Sequence, residues 1–405
     1  MDLYIGRRRS WSRFIPAFLV AGVVVLFVAV QFARSPGAIG VLTLVPEVGV
    51  AGGAAPSLPW PSAGSAAVYV EGTGLIGTTK ESAPRPIASV TKIMTAYVIL
   101  KGHPLSTGQR GPVITATSAD VTTYKTLEAE DQSVVRVAAG QQLSQYEMLQ
   151  GLLIASGNNV GEMLAVWDAG SVSAFVAKMN AEAASLGMKN TRYADVSGFS
   201  PASVSTAVDQ VILATAAMEN PVFAEIVGQA QATIPVAGVI YNINAILGQE
   251  GIIGVKTGWT EDAGGCFVFA ANWRLGGRAL RVYGAVFGQD TLQKAFDTSK
   301  SLVRAVGPGV QQARVFSKGQ PVAAFRPPWG SRVDVVVGED VEMLVWPGME
   351  VRSYFDLSTP RAPLEKDADV GSMLLVVGDQ QRRVALKTAE ALPGPSAAWR
   401  ITRLR

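Results

Sequence analysis

Only one cysteine and one histidine, Cys266 and His103, occur among the 405 residues of the chain. A single cysteine excludes an internal disulfide and a cysteine-based metal site, and a single histidine excludes a cluster of histidine ligands. We therefore expect no metal and no cofactor, and we interpret Cys266 as a small buried hydrophobic residue. The formal net charge is only +3, which is too small to indicate a nucleic-acid partner.

The scarcity of histidine also limits the kinds of serine catalysis that the chain can support. A Ser-His-Asp triad would have to use His103, which lies in Lys101-Gly102-His103-Pro104, a segment typical of a solvent-exposed loop. A mechanism in which a lysine acts as the base is therefore favoured.

Charged residues are absent from one long stretch near the N-terminus. Phe14 to Ala33 carries no charge and is long enough to span a bilayer as a helix. Arg7, Arg8, Arg9 and Arg13 precede it, and such a basic flank stays in the cytoplasm, so the rest of the chain is expected on the extracytoplasmic side of the cytoplasmic membrane. Ala38-Ile39-Gly40 offers a signal-peptidase site, but it lies well past the apolar run. An uncleaved anchor is favoured, and a cleaved signal segment stays the alternative.

Four segments are predicted from composition and periodicity. Residues 1–34 form the anchor or signal segment, and residues 35–64, which are rich in Gly, Ala, Pro and Val, form a linker. Residues 65–308 combine helical periodicity with β-like runs and predict an α+β domain with one sheet and a helical cluster. Residues 309–405 contain short strands separated by Gly, Pro and Asp turns, which indicates a small all-β domain.

Three short motifs carry the functional signal. Ser89 and Lys92 lie three residues apart at the start of an apolar-periodic segment, so both side chains would share one helix face. Ser156-Gly157-Asn158 interrupts a helical pattern, and Lys256-Thr257-Gly258 ends a short apolar strand. In this order they form the S-x-x-K, S-x-N and K-T-G signature of serine acyl-transfer enzymes that penicillin inhibits.

Each motif residue has a chemical role in acyl transfer. Ser89 is the predicted nucleophile and Lys92 its base, while Ser156 relays a proton to the leaving amine. Asn158 can hold the peptide bond of the substrate and steady Lys92. The remaining residues belong to one strand, where Lys256 and Thr257 suit a terminal carboxylate. Gly258 lets the substrate approach the strand backbone. The N–H of Trp259 is the second oxyanion donor beside the N–H of Ser89.

With these motifs, the chain resembles the low-molecular-mass penicillin-binding proteins, specifically the D-alanyl-D-alanine carboxypeptidases of peptidase family S11. The resemblance extends from about Ala66 to about Val377 and includes Ala88 to Leu100, Leu152 to Asn159 and Gly254 to Thr260. It implies a β-lactamase/transpeptidase-like fold and removal of the terminal D-alanine from peptidoglycan pentapeptides. It also implies acylation of Ser89 by β-lactam antibiotics. Asn159 stands where the family often has aspartate, a departure that we judge minor.

Three rival functions share parts of this pattern. A class A β-lactamase needs a glutamate four residues before an asparagine, and no such pair lies between Asn158 and Lys256. A D,D-endopeptidase would use the same residues on a cross-linked substrate, and the C-terminal β domain favours the carboxypeptidase over it. A non-catalytic wall-binding scaffold is disfavoured because the motif residues are intact.

Overall fold

The contacts within the computed structural model divide the chain into two units, and residues 14–53, 55–80 and 83–403 are described. The first unit comprises the chain up to Ala51, Ala313–Met343 and the chain from Glu350 onward, and the second comprises Gly52–Gln312 and Leu344–Met349. Arg7, Arg8, Arg9 and Arg13, the basic flank predicted for the anchor, lie outside the described residues.

An antiparallel five-stranded sheet, in the order β11-β12-β13-β3-β4, forms the framework of the second unit. Its strands are β3 (Ser65–Val70), β4 (Gly74–Thr78), β11 (Ile252–Thr260), β12 (Gly264–Leu275) and β13 (Arg278–Gln289). Gly276 and Gly277 have positive φ angles of 54° and 86° and make the hairpin turn between β12 and β13, as the sequence predicts. Helix α9 (Leu292–Val306) buries Phe296 edge-on against Phe267 of β12, so one face of the sheet is covered by this helix.

A helical cluster covers the other face and contains the first two motifs. It comprises a 3-10 turn (Ala88–Thr91), α2 (Lys92–Gly102), α3 (Ser118–Ala129), α4 (Gln145–Leu153), α5 (Asn158–Ala169), α6 (Val172–Ser185), α7 (Ala207–Met218) and α8 (Pro221–Val227). Helix α4 begins at a capping box in which Ser144 and Glu147 exchange hydrogen bonds. Helices α4 and α5 are separate, which agrees with the predicted break at Ser156-Gly157-Asn158.

Three short strand pairs join the loops of this cluster. They are β5 (Arg85–Pro86) with β8 (Val204–Ser205), β6 (Val113–Thr115) with β7 (Gln142–Ser144), and β9 (Gln231–Ile234) with β10 (Gly238–Tyr241). Because β5 immediately precedes the 3-10 turn at Ala88, its pairing with β8 fixes the entry of the chain into that turn. The predicted α+β class is confirmed.

A seven-stranded sheet, in the order β1-β15-β16-β20-β19-β18-β2, forms the first unit. Its strands are β1 (Gly40–Thr43), β2 (Val48–Val50), β15 (Pro321–Arg326), β16 (Val333–Val337), β18 (Glu350–Leu357), β19 (Asp369–Val377) and β20 (Gln380–Thr388), and β14 (Gln311–Phe316) pairs separately with β17 (Val341–Val345). The strands β1 and β2 belong to residues 35–64, for which we predicted a linker. They pair antiparallel with β15 and β18, so this part of the predicted linker is sheet.

The first unit also contains α1 (Ile15–Ala33) and the short α10 (Ala397–Thr402). Helix α1 has 19 residues, a mean hydropathy of 2.5 and mostly exposed side chains, so it has the length and composition of a membrane span. The Arg403 guanidinium donates hydrogen bonds to the carbonyl oxygens of Gln31, Arg34 and Ser35 at 3.0, 2.7 and 2.8 Å. A residue after α10 therefore satisfies carbonyl groups at the C-terminal end of α1.

Candidate active site

The first motif brings a hydroxyl and an amine into direct contact. Ser89 lies in the 3-10 turn and Lys92 begins α2, and the Lys92 Nζ and Ser89 Oγ atoms are 2.8 Å apart. Ala88, just before Ser89, has a φ of 47°, a left-handed conformation that is unusual for alanine. Such strain persists only where surrounding structure holds it, and it presents Ser89 at the start of a helix.

The Lys92 amine is shielded from solvent. Its side chain is buried, and Nζ also donates to the carbonyl oxygen of Ser197 at 3.0 Å. Burial lowers the pKa of Lys92 well below its usual value, the charge of Lys256 lowers it further, and Asp195 opposes both effects. A buried amine with a lowered pKa is able to take a proton from the adjacent hydroxyl, as a catalytic base must.

The second motif forms the turn between α4 and α5. Ser156 has a φ of 61°, and its hydroxyl is buried without a hydrogen-bond partner among the described residues. Asn158 begins α5 and is 5% exposed. A Cβ at Gly157 would lie 2.8 Å from a methyl carbon of Val135, so glycine allows the turn to pack against that segment.

The third motif lies on β11, beside the Ser89 turn. A Cβ added to Gly258 would lie 2.9 Å from the Ile87 carbonyl oxygen and 3.0 Å from the Ser89 nitrogen, so only glycine lets the strand pass this close. Burial lowers the pKa of Lys256 to about 7, and its ammonium donates to the Thr257 carbonyl oxygen at 3.0 Å. Thr257 is buried, whereas the Trp259 side chain is 55% exposed.

A cleft of about 480 Å³ opens over these elements. Of the predicted residues, Ser89, Asn158 and Trp259 line it, and Lys92, Ser156, Lys256 and Thr257 are buried. Four acidic residues also line it, namely Glu130, Asp131, Glu261 and Asp262. The lining of the cleft is thus rich in carboxylates, and Lys92 and Lys256 are buried beneath it rather than part of it.

Sequence reasoning missed several residues that build this cleft. Ser197 supplies a carbonyl acceptor to Lys92, and Gln132 accepts a hydrogen bond from the Asn158 amide at 2.5 Å. Asn159, which we judged a minor departure, bonds both backbone groups of Val135, its Oδ1 at 2.9 Å from the nitrogen and its Nδ2 at 2.8 Å from the oxygen. An asparagine directly after S-x-N was the one available signal, because an amide can bond a backbone N–H and C=O together.

The single histidine and the single cysteine are engaged elsewhere. The His103 imidazole lies 3.0 Å from an Asp168 carboxylate oxygen and packs on the Trp167 ring at 4.0 Å between ring centres. Cys266 is buried opposite Gly258 on β12, and burial raises the pKa of its thiol to about 12. No group of three or more His, Cys, Asp or Glu side chains within the described ranges is arranged to hold a metal ion.

Comparison with known proteins places this geometry in a family. Residues 54–291 match the model of peptidase family S11, D-alanyl-D-alanine carboxypeptidase. The chain is 33% identical over 215 residues to a D-alanyl-D-alanine endopeptidase of Pseudomonas aeruginosa, covering 51% of this chain and 66% of that protein. It is 26% identical over 327 residues to the D-alanyl-D-alanine carboxypeptidase DacF of Bacillus subtilis, covering 77% and 80%.

Two solved structures have a fold similar to that of this chain. The D-alanyl-D-alanine carboxypeptidase DacD from Francisella tularensis superimposes with a TM-score of 0.61 at 20% identity, over 84% of this chain and 96% of that one, which establishes the fold. The Streptomyces K15 DD-transpeptidase superimposes with a TM-score of 0.55 at 27% identity, over 62% of this chain and 98% of that one. The predicted β-lactamase/transpeptidase-like fold is confirmed.

Proposed function

Because this chain belongs to the D-alanyl-D-alanine carboxypeptidase family, peptidase family S11, we propose that it removes the terminal D-alanine from peptidoglycan stem pentapeptides through an acyl-enzyme on Ser89. The observation that carries the proposal is the 2.8 Å contact between the Ser89 hydroxyl and a buried lysine amine. A serine hydroxyl is a weak nucleophile until a neighbouring base accepts its proton, and Lys92 is placed to do so.

Acylation proceeds by addition and elimination at the last peptide bond. The Ser89 oxygen attacks the carbonyl carbon as its proton moves to Lys92 Nζ, and the N–H groups of Ser89 and Trp259 stabilise the oxyanion. Collapse of the tetrahedral intermediate breaks the C–N bond, and the proton passes through Ser156 to the leaving amine of D-alanine. Water then cleaves the ester and regenerates the hydroxyl.

Lys256 and Thr257 give the cleft its preference for a free C-terminus. An ammonium and a hydroxyl suit a carboxylate, and a carboxylate next to Lys256 would favour its charged form, which burial otherwise disfavours. The carboxylate of a β-lactam offers the same group, and opening of its ring by Ser89 yields an ester on the same oxygen. β-Lactams are therefore expected to be covalent inhibitors.

We place the catalytic unit outside the cytoplasmic membrane, with α1 retained as its anchor. Two contacts support retention over cleavage near Ala38-Ile39-Gly40. Strand β1 begins at Gly40 and pairs with β15, so cleavage would cut at a sheet strand. Cleavage would also remove the carbonyl groups that Arg403 binds at the end of α1. Mass measurement of the membrane-extracted protein tests this, and a mature protein lacking α1 would contradict it.

Labelling with a fluorescent penicillin, together with D-alanine release from a pentapeptide, tests the activity. We expect the full chain to be labelled and to release D-alanine, and Ser89→Ala to abolish both, whereas exposed Ser173 changed to Ala should leave both intact. Label lost within seconds would indicate a β-lactamase, and an unlabelled protein a scaffold. Cleavage of a cross-linked dimer without D-alanine release would indicate the endopeptidase.

A further inference from the structure

The Asn158 side chain is held in one orientation by a short chain of hydrogen bonds. Its Nδ2 atom donates to Gln132 Oε1 at 2.5 Å, and Gln132 Nε2 in turn donates to Glu130 Oε2 at 2.8 Å. The Asn158 Oδ1 atom is shielded from solvent and has no hydrogen-bond partner among the described residues. The two ends of the amide therefore face different surroundings.

The carboxylate at the end of this chain fixes its direction. An ionised carboxylate only accepts hydrogen bonds, so Gln132 must turn its NH₂ group toward Glu130 and its carbonyl oxygen toward Asn158. Asn158 must then present its own NH₂ group to Gln132. The orientation of the Asn158 amide, which its shape alone leaves open, thus follows from the presence of an acidic residue at position 130.

The backbone around Gln132 is fixed to the same turn. The Asn158 N–H donates to the Ser133 carbonyl oxygen at 2.8 Å, and the Asn159 side chain bonds both backbone groups of Val135. Gln132 is itself half-buried and lines the cleft beside Ser89 and Asn158. The segment that carries Gln132 is therefore anchored to this turn at Ser133 and Val135, directly after Gln132.

An amide that is reversed in this cleft would have the wrong polarity for its task. One hydrogen of Nδ2 bonds Gln132, and the second stays available for a carbonyl oxygen of a substrate in the cleft. Reversal would place the Asn158 oxygen against the Gln132 carbonyl oxygen and against the carbonyl oxygen of the substrate. Each of these contacts would bring two hydrogen-bond acceptors together without a donor.

We propose that Gln132 and Glu130 are positioning residues that set the orientation of the Asn158 amide, so that its NH₂ group faces a substrate carbonyl. The proposal rests on the proposed acyl-transfer function. It assigns a role to an exposed carboxylate of the cleft that makes no contact with the reacting atoms.

Two β-lactams separate this role from general damage. Benzylpenicillin carries an amide carbonyl beside its ring, whereas 6-aminopenicillanic acid lacks it and shares the ring and the carboxylate. The acylation rate constant of benzylpenicillin is divided by that of 6-aminopenicillanic acid, both measured by stopped-flow on the full chain in detergent. This ratio reports the contact to the amide carbonyl. A merely structural change would lower both rates and leave the ratio unaltered.

Four variants test the direction of the chain. Gln132→Leu breaks it, and Glu130→Lys reverses it, because an ammonium only donates and would turn both amides around. Glu130→Gln combined with Gln132→Glu restores it, because the new carboxylate accepts directly from Asn158. Glu261→Lys makes the same charge change at another exposed position of the cleft and is the control for Glu130→Lys.

We expect the ratio to fall about tenfold in Gln132→Leu and Glu130→Lys, the factor that loss of one hydrogen bond carries. The double variant and Glu261→Lys should keep the ratio of the unmodified chain within about twofold. An unchanged ratio in Glu130→Lys, or an equal fall in Glu261→Lys, would overturn the proposal. If the unmodified chain reacts with neither compound, the proposed function itself fails, which is a different result.

Discussion

Replacing Lys256 with methionine should stabilise the protein, and the gain should depend on pH. The side chain is buried, and burial lowers its pKa from 10.5 to about 7, a change that corresponds to about 5 kcal/mol for holding the charged form. Methionine keeps a similar unbranched chain and carries no charge. At low pH, lysine is protonated in both the folded and the unfolded chain, and the folded protein carries the full free-energy cost of a buried charge. The methionine variant avoids that cost.

The sign of the pH dependence follows from linkage. Between about pH 7 and 10.5 the unfolded chain holds a proton on Lys256 that the folded chain has released, so the unmodified protein gains stability as pH rises, by up to about 1.4 kcal/mol per pH unit. Between pH 7.5 and 9.5 the advantage of the methionine variant should shrink by about 3 kcal/mol, or roughly 6 to 12 °C in Tm.

Thermal unfolding of the full chain in detergent, followed by tryptophan fluorescence from pH 6 to 10, measures this difference. The exposed Lys294 changed to Met is the matched control and should show no such trend. A Tm difference between the Lys256 variant and the unmodified protein that stays constant over this range would refute the argument that burial dominates at this lysine.

Three further outcomes are expected. Lys256→Met removes a charge that lowers the pKa of Lys92, so the acid limb of the acylation rate profile should move to higher pH, and an unmoved limb would argue against that coupling. Gly258→Ala places a Cβ 3.0 Å from the Ser89 nitrogen and should slow penicillin acylation at least tenfold, with a smaller effect on Tm. An unchanged acylation rate would contradict the close approach of strand β11 to the Ser89 turn. Asn159→Asp loses the donor to the Val135 carbonyl oxygen and should destabilise the protein by about 1 to 3 kcal/mol in thermal unfolding. A Tm that does not fall would mean that this hydrogen bond contributes nothing to stability.

Local patterns predicted the elements that carry the motifs. The spacing of Ser89 and Lys92 indicated a shared face, and the chain there is a 3-10 turn leading into α2, with the two side chains 2.8 Å apart. The glycine in Ser156-Gly157-Asn158 indicated a helix break, and α4 and α5 are separate helices. Both inferences use residues within a few positions of one another, where backbone periodicity alone determines the geometry.

Such local patterns could not predict contacts between residues that are far apart in the sequence. Gln132 reaches Asn158 across 26 positions, and no periodicity marks a glutamine in a loop as the partner of an asparagine elsewhere. The same holds for the Ser197 carbonyl that accepts from Lys92, because every residue carries a backbone carbonyl and no pattern distinguishes this one. Strand β1 was interpreted as linker since a four-residue apolar run has little signal by itself, and its partner β15 lies about 280 positions away.

Strand β11 is at the margin of its sheet, with β12 on one side and no other described strand on the opposite side. Backbone groups along that margin are left to bind an extended ligand, as they would bind another strand. Recognition of this kind depends on the direction of the ligand's main chain and on the position of its amide groups. It depends little on the ligand's side chains. Under the proposed function, a flexible peptide and a rigid bicyclic antibiotic would therefore compete for this one edge.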